Sequence, residues 1–194
     1  MYTDRPEPML WNVGGDPARD GGGRRPAPGH TGRSGAVRGR PASPLSVTVS
    51  IRPALTEADW AAVRAVRQRV FVEEQACPPE EEWDAHDAPG ARGRSVHHVL
   101  AEADGVAVGC ARWRAAGGAA KLERFAVLPE ARGRGVARAL VARTLADARA
   151  AGHRRFALHA QTYAAPLYAA FGFRETGAPF TEAGIEHVKM TLAD

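Results

Sequence analysis

Leu122-Glu123-Arg124-Phe125-Ala126-Val127-Leu128-Pro129-Glu130-Ala131-Arg132-Gly133-Arg134-Gly135-Val136-Ala137-Arg138 is the stretch on which the fold turns. Phe125 to Leu128 form an apolar run stopped by Pro129, the pattern of a buried strand. Gly133 and Gly135 allow positive φ and close approach of the backbone to a ligand. Val136, Leu140, Val141, Thr144, Leu145 and Ala148 then repeat at helical spacing and predict one buried stripe. A helix N-terminus presents unpaired N–H groups and about half a positive charge, so a strand–glycine turn–helix unit suits a phosphate. Arg132, Arg134 and Arg138 add side-chain charge to the same spot, which reads as a diphosphate cradle.

Outward from this stretch, the chain divides in two. Residues 1–45 hold nine Gly and seven Pro and almost no periodic apolar residues, too little to offset chain entropy by burial. They read as a disordered N-terminal arm. Seven Arg against four acids also admit an arm for an anionic partner, but without aromatic interleaving or block charge nucleic acid is disfavoured. Residues 46–194 read as one globular domain. The 44% apolar content suffices for an ordinary core, and no run approaches the ~18 apolar residues that span a bilayer. A secretory leader is absent by pattern, and Cys77 and Cys110 suit a reducing compartment, so a soluble cytoplasmic protein is expected. Only Lys121 and Lys189 among 26 basic residues are lysine, a coding bias more than a nucleic-acid signature.

Within the domain, Val47, Val49 and Ile51 alternate as a strand. Thr56-Glu-Ala-Asp59 predicts a capping box opening a helix through Trp60, Val63, Val66, Val70 and Phe71, with arginines on its wet side. Glu80, Glu81, Glu82, Asp84 and Asp87 predict a solvated acidic loop or short helix, with steering of a cationic amine as its functional reading. His98 to Glu102 and Val106 to Trp113 form a hairpin about Asp104-Gly105, and Gly117-Gly118 leads into the opening strand. After the long helix, Phe156 to His159 read as a strand and Tyr163 to Phe171 as a short helix with Pro166 in its first turn. Phe173 to Thr176 and His187 to Leu192 close the chain as strands joined by a loop. The order predicts an α/β domain with a mixed, mostly antiparallel sheet flanked by helices.

With those elements in place, the chain resembles the GCN5-related N-acetyltransferase (GNAT) superfamily. The family's acyl-CoA motif, (Gln/Arg)-x-x-Gly-x-(Gly/Ala), is matched by Arg132-Gly-Arg-Gly135-Val-Ala137 between the expected strand and helix. A second match is Gln161-x-x-Ala164-x-x-Leu167-Tyr168-x-x-Phe171-Gly172-Phe173, with Gln161 where the family usually carries Asn. The chain looks most like the ElaA-like branch, on Arg69-Val-Phe-Val-Glu-Glu-Gln75, the acidic Glu82/Asp84/Asp87 stretch, Ala160-Gln161, and Gly184-Ile-Glu-His187-Val-Lys-Met190. The resemblance covers residues 47–194.

It implies the acyl-CoA N-acyltransferase fold and transfer of an acetyl group from acetyl-CoA to a primary amine. The 132–137 turn, Arg138 and Gln161 would hold the cofactor, Phe125 and Val127 would lie on the strand beside its pantetheine arm, and a main-chain N–H near Ala126 or Val127 would be the oxyanion donor. Tyr168 would be the acid for the leaving thiolate. Glu123 is a candidate base acting through a water, because two-residue periodicity puts it on the face of Phe125 and Val127. Glu74, Gln75 and His187 are candidates for the acceptor. No positioned Cys or Ser nucleophile is visible, so direct transfer in a ternary complex is expected. Asp84, His86, Asp87, His97 and His98 lack ligand spacing, and no metal is expected. A non-catalytic acyl-CoA-binding or regulatory domain is the rival reading. A membrane is not a partner, and assembly as a homodimer stays open.

Overall fold

A computed structural model describes residues 48–194; the arm assigned to residues 1–45 lies outside the described residues, with Ser46 and Val47. Strand β1 (Val49–Pro53) leads to helix α1 (Glu57–Arg67) through the expected capping box. Thr56 Oγ1 accepts from the Asp59 N–H at 3.1 Å, and Asp59 Oδ2 accepts from the Thr56 N–H at 2.9 Å. The helix then widens into a π-helical turn over Gln68–Glu74, a device that inserts a residue and re-aims side chains. A single turn, α2 (Pro79–Glu82), and a 3-10 turn (Ala85–Asp87) follow.

Strands β2 (Val96–Ala103), β3 (Val106–Ala116) and β4 (Ala119–Val127) form an antiparallel meander. Helix α3 (Val136–Ala150) crosses to β5 (Arg155–Gln161), and the single turn α4 (Ala165–Ala169) precedes β6 (Arg174–Glu175), β7 (Phe180–Glu182) and β8 (Ile185–Ala193). The sheet order is β1-β2-β3-β4-β5-β8-β6, with β7 added on β8. Strand β7 occupies what the sequence reads as loop. Its hairpin turns on Ala183 and Gly184, both at positive φ, and Ala is not a residue from which such a turn is read.

Helix α3 buries the expected stripe, Val136, Leu140, Val141, Thr144, Leu145 and Ala148, against one face of the sheet. The other face takes Val63, Val66 and Val70 from α1 and the π turn, packed on Leu100, Cys110 and Ala126. One expectation for α1 fails: Arg67 is on no wet side but is fully buried, with Nε donating to Glu82 and Nη1 to Asp87 Oδ1 at 2.7 Å. The acidic stretch is solvated only in part: Glu80 and Glu81 are exposed, whereas Glu82 and Asp87 are buried as counter-ions. Helical periodicity cannot distinguish an exposed arginine from one whose partners arrive from fifteen and twenty residues away.

The feature that positions the site is the join between β4 and β5. These strands are parallel but pair only at Ala120–Phe156 and Lys121–Ala157. Beyond Lys121 they part, while β5 stays fully paired with β8 on its other side. The sheet thus splits into two arms, and among the described residues the edge of β4 facing the split has no strand partner.

Candidate active site

A cavity of about 670 Å³ opens in this split. On the α3 side it is walled by the glycine turn. Gly133 and Gly135 stand at φ +70° and +79°, and a Cβ built on either would meet nothing within 4 Å. Their glycine identity therefore answers to backbone conformation, and space for an outside group lies beside them. Gly135 caps α3 without any side-chain cap, so the first-turn N–H groups of Val136, Ala137 and Arg138 are not covered from within. These residues, with Phe125 and Val127, line the cavity. The guanidinium of Arg132 is turned away from the role of loose positive charge: it donates to both carboxylate oxygens of Glu74 at 2.6 Å and, through Nε, to the Val127 carbonyl at 3.0 Å. Arg138 lies 5.0 Å over the Phe171 ring. Arg134 and Glu74 are exposed and outside the cavity lining, and Ala126, buried in the core, is outside it too.

Tyr168 reaches the same side from α4. It is 7% exposed and meets Phe125 edge-to-face at 5.6 Å and Phe173 at 6.2 Å. Burial pushes its phenol well above the usual value of 10, so the hydroxyl stays protonated at neutral pH. Such a group can donate a proton but not accept one.

Glu123 lies elsewhere than alternation predicts. The β3–β4 register runs Cys110–Ala126 and then Arg112–Glu123, so β4 holds one residue more than β3. The bulge centres on Arg124, which adopts φ +57° and is held by Nη2 bonds to the Glu81 and Glu82 carbonyls at 3.2 Å. Past it, side-chain alternation slips by one. Phe125 and Val127 face α3, whereas Glu123 shares the opposite face with Ala126, Cys110 and Arg112. The cavity nevertheless touches both groups, because it passes through the sheet where the arms part.

On this second side Glu123 sits among cations. Its Oε1 accepts from Arg112 Nε at 2.9 Å and Arg114 Nε at 2.8 Å, and Lys121 Nζ approaches Oε2 at 3.4 Å. Burial alone would raise its pKa, but Arg112, Arg114 and Lys121 outweigh burial and hold the carboxyl below the usual range. Arg112 is itself 1% exposed and paired with Asp84 at 2.6 and 2.9 Å and with Asp87 at 3.0 Å. The same balance, burial against the Arg112 guanidinium, leaves Asp84 at about 2. Glu123 is a firmly ionised anchor, a poor resting place for an amine's proton.

The facing wall comes from the other arm. Gln161 and His187 are register partners on β5 and β8, and Gln161 Nε2 donates to Gln75 Oε1 at 3.0 Å, spanning to the end of the π turn. His187 Nδ1 lies 2.9 Å from the Ile185 carbonyl. A carbonyl only accepts, so Nδ1 carries the proton and Nε2 presents a lone pair. His159 Nδ1 pairs with Glu182 Oε2 at 2.9 Å, and Phe180 packs between the two histidine rings, 4.9 Å from His159 and 6.0 Å from His187. Sequence reasoning missed Arg112, Arg114, His159 and Glu182. Arg112-Trp113-Arg114 did carry the alternation of a strand with one charged face, but nothing local said that this face borders a cavity.

Comparison with known proteins adds three kinds of finding. The family model described as an acetyltransferase (GNAT) domain matches residues 69–193. A Bacillus subtilis (strain 168) protein whose name assigns it provisionally to the acetyltransferases is 35% identical over 146 residues, covering 75% of this chain and 97% of its own. Among solved structures, an acyl-CoA N-acyltransferase from Pseudomonas aeruginosa superposes with a TM-score of 0.65 at 28% identity, covering 76% of this chain and all of its own. Escherichia coli ElaA, from the branch singled out by the sequence, is a neighbour in fold with a TM-score of 0.64 at 24% identity, over 76% of this chain and 99% of its own.

Proposed function

Because the chain belongs to the GNAT acetyltransferase family and is an acyl-CoA-dependent N-acetyltransferase, we propose that it moves the acetyl group of acetyl-CoA directly to a primary amine held in the same cavity. The observation that carries this reading is the cavity itself: it runs through the split sheet from the open N-terminus of α3 to a wall of charged and histidine side chains. A donor and an acceptor can thus approach one point from opposite faces, as a ternary complex requires.

The chain's residues fit the donor. The N–H groups of the 132–137 turn and of the first turn of α3 suit a diphosphate, with the space beside Gly133 and Gly135 left for it. The unpartnered edge of β4 suits the amides of a pantetheine arm. When bound, acetyl-CoA supplies an activated thioester. The Leu128 N–H turns inward to the Val108 carbonyl at 2.9 Å, so by alternation the Val127 N–H points into the split and is the proposed donor to the oxygen on which charge develops. Tyr168, buried and protonated, gives its proton to the departing thiolate. For the amine's proton we assign His187 Nε2 in preference to Glu123, whose carboxylate is engaged by three cations. Cytoplasmic residence and an independent arm over residues 1–45 complete the proposal. Among the described residues no helix is long and apolar enough to cross a membrane.

Titration calorimetry with acetyl-CoA, followed by thiol release across a panel of primary amines, tests this. Wild type is expected to bind and to release CoA with some amines. Gly135→Asp, which puts a Cβ and a negative charge into the turn, is expected to lose binding. Equal binding by that variant would remove the cradle, and binding without thiol release from any amine would favour a regulatory role.

A further inference from the structure

The charged groups on the acceptor side are segregated by wall, and the segregation points to a substrate class. Arg67, Arg112 and Arg124 are matched by Glu82, Asp84 and Asp87, with contacts of 2.6 to 3.7 Å and the Arg67–Glu82 pair. What remains on the β4 wall of the cavity is Arg114 and Lys121 against the carboxylate of Glu123, while the further acid, Glu182, lines the facing wall and feels the charge of Lys121. Arg114 meets Glu123 only through Nε, so its two terminal nitrogens remain as donors; Lys121 is held loosely at 3.4 Å. Their side chains are 19% and 29% exposed, partly desolvated on the cavity wall, where a positive charge attracts an anion far more strongly than on an open surface. The opposite wall, on the other arm, has the reverse chemistry: the Glu182 carboxylate beside His159, and the Nε2 lone pair of His187.

We infer that the acceptor is a small amine that also bears a carboxylate, an amino acid, held with its carboxylate on Arg114 and Lys121 and its amino group toward Glu182 and His187. This rests on the proposed transfer reaction and deepens it. The terminal nitrogens of Arg114 form a fork that matches a carboxylate, and Lys121 adds a point charge beside it. The acidic stretch at residues 80–87, which could be taken as bait for a cationic amine, has Glu82 and Asp87 buried on arginines, which leaves fewer of its acids for that role.

The test compares each common amino acid with its own carboxamide, phenylalanine against phenylalaninamide for example, as acceptors for the full chain with saturating acetyl-CoA. The acids are expected to be preferred in kcat/KM on the order of tenfold or more, the scale of charge-assisted hydrogen bonds. Arg114→Gln and Lys121→Gln should each collapse that ratio toward one, through KM. Amides used as well as acids, or a ratio unmoved in both variants, would overturn the inference. Calorimetric titration of the same acids and amides into the CoA-loaded protein decides independently of turnover: acids should bind saturably and lose binding in Arg114→Gln, and no binding by any acid sinks the idea. Failure of the wild type to bind acetyl-CoA at all would count against the transfer reading instead. Thermal melts of both variants show whether either has lost its fold; Lys121, with one loose contact, is the safer of the two.

Discussion

Tyr168 is expected to govern turnover more than cofactor affinity, because its hydroxyl is the only part that Tyr168→Phe removes while the ring keeps its packing on Phe125 and Phe173. Loss of a general acid predicts a drop in kcat of about a hundredfold with the Kd for CoA nearly unchanged. Steady-state kinetics beside calorimetry separates the two. His187 and Glu123 can be told apart by the size of the loss in kcat. His187→Gln should lower kcat by about a hundredfold. Glu123→Gln should lower kcat far less, since its carboxylate is committed to Arg112 and Arg114. The reverse pattern would return the base to Glu123. What misleads the sequence at this scale is Arg124: a non-glycine residue at φ +57° gives no local sign that the strand slips there.

Among the elements, the segment from α1 through the π turn to the 3-10 turn at Ala85–Asp87 is tied together by a buried arginine. Arg67 holds Glu82 and Asp87, and Arg112 reaches the same Asp87 from β3. Arg67→Leu would leave two buried carboxylates short of their main cation, a change that typically costs about 3–5 kcal/mol. Urea unfolding should show it; a loss below 1 kcal/mol would mean the network relaxes to solvent. The consequence reaches the site, since Asp84, Gln75 and Arg112 all wall the cavity. The capping box, the glycine turn and the stripe of α3 were legible because each is set by residues within a few positions of one another. Strand β7 and the burial of Arg67 were not, because each depends on partners supplied by other elements.

For the molecule as a whole, acid should be destabilising before the carboxylates are reached. His98 is 5% exposed and lies 4.9 Å from the Trp60 ring. Burial, then the nearby Arg67 and Arg112, lower its imidazole to about 4, whereas an unfolded chain takes up that proton near 6.5. Stability from the neutral ring is therefore complete above 6.5 and declines as pH falls toward 4, because the unfolded chain binds the proton first. Thermal midpoints across that window should fall in wild type and flatten in His98→Leu; parallel slopes would show that His98 does not carry the effect. Asp84, held near 2 in the folded state, adds a second loss below its ordinary 3.8. The sequence alone determined the order of the elements other than β7, the glycine turn and the family, since strand, glycines and helix stripe are short-range patterns read along one chain. Tertiary structure alone decided which side chains line the cavity. The split of β4 from β5, the bulge that turns Glu123 across the sheet, and the matching of buried arginines to distant acids all depend on which strands meet and where they part. No spacing within a single strand encodes them.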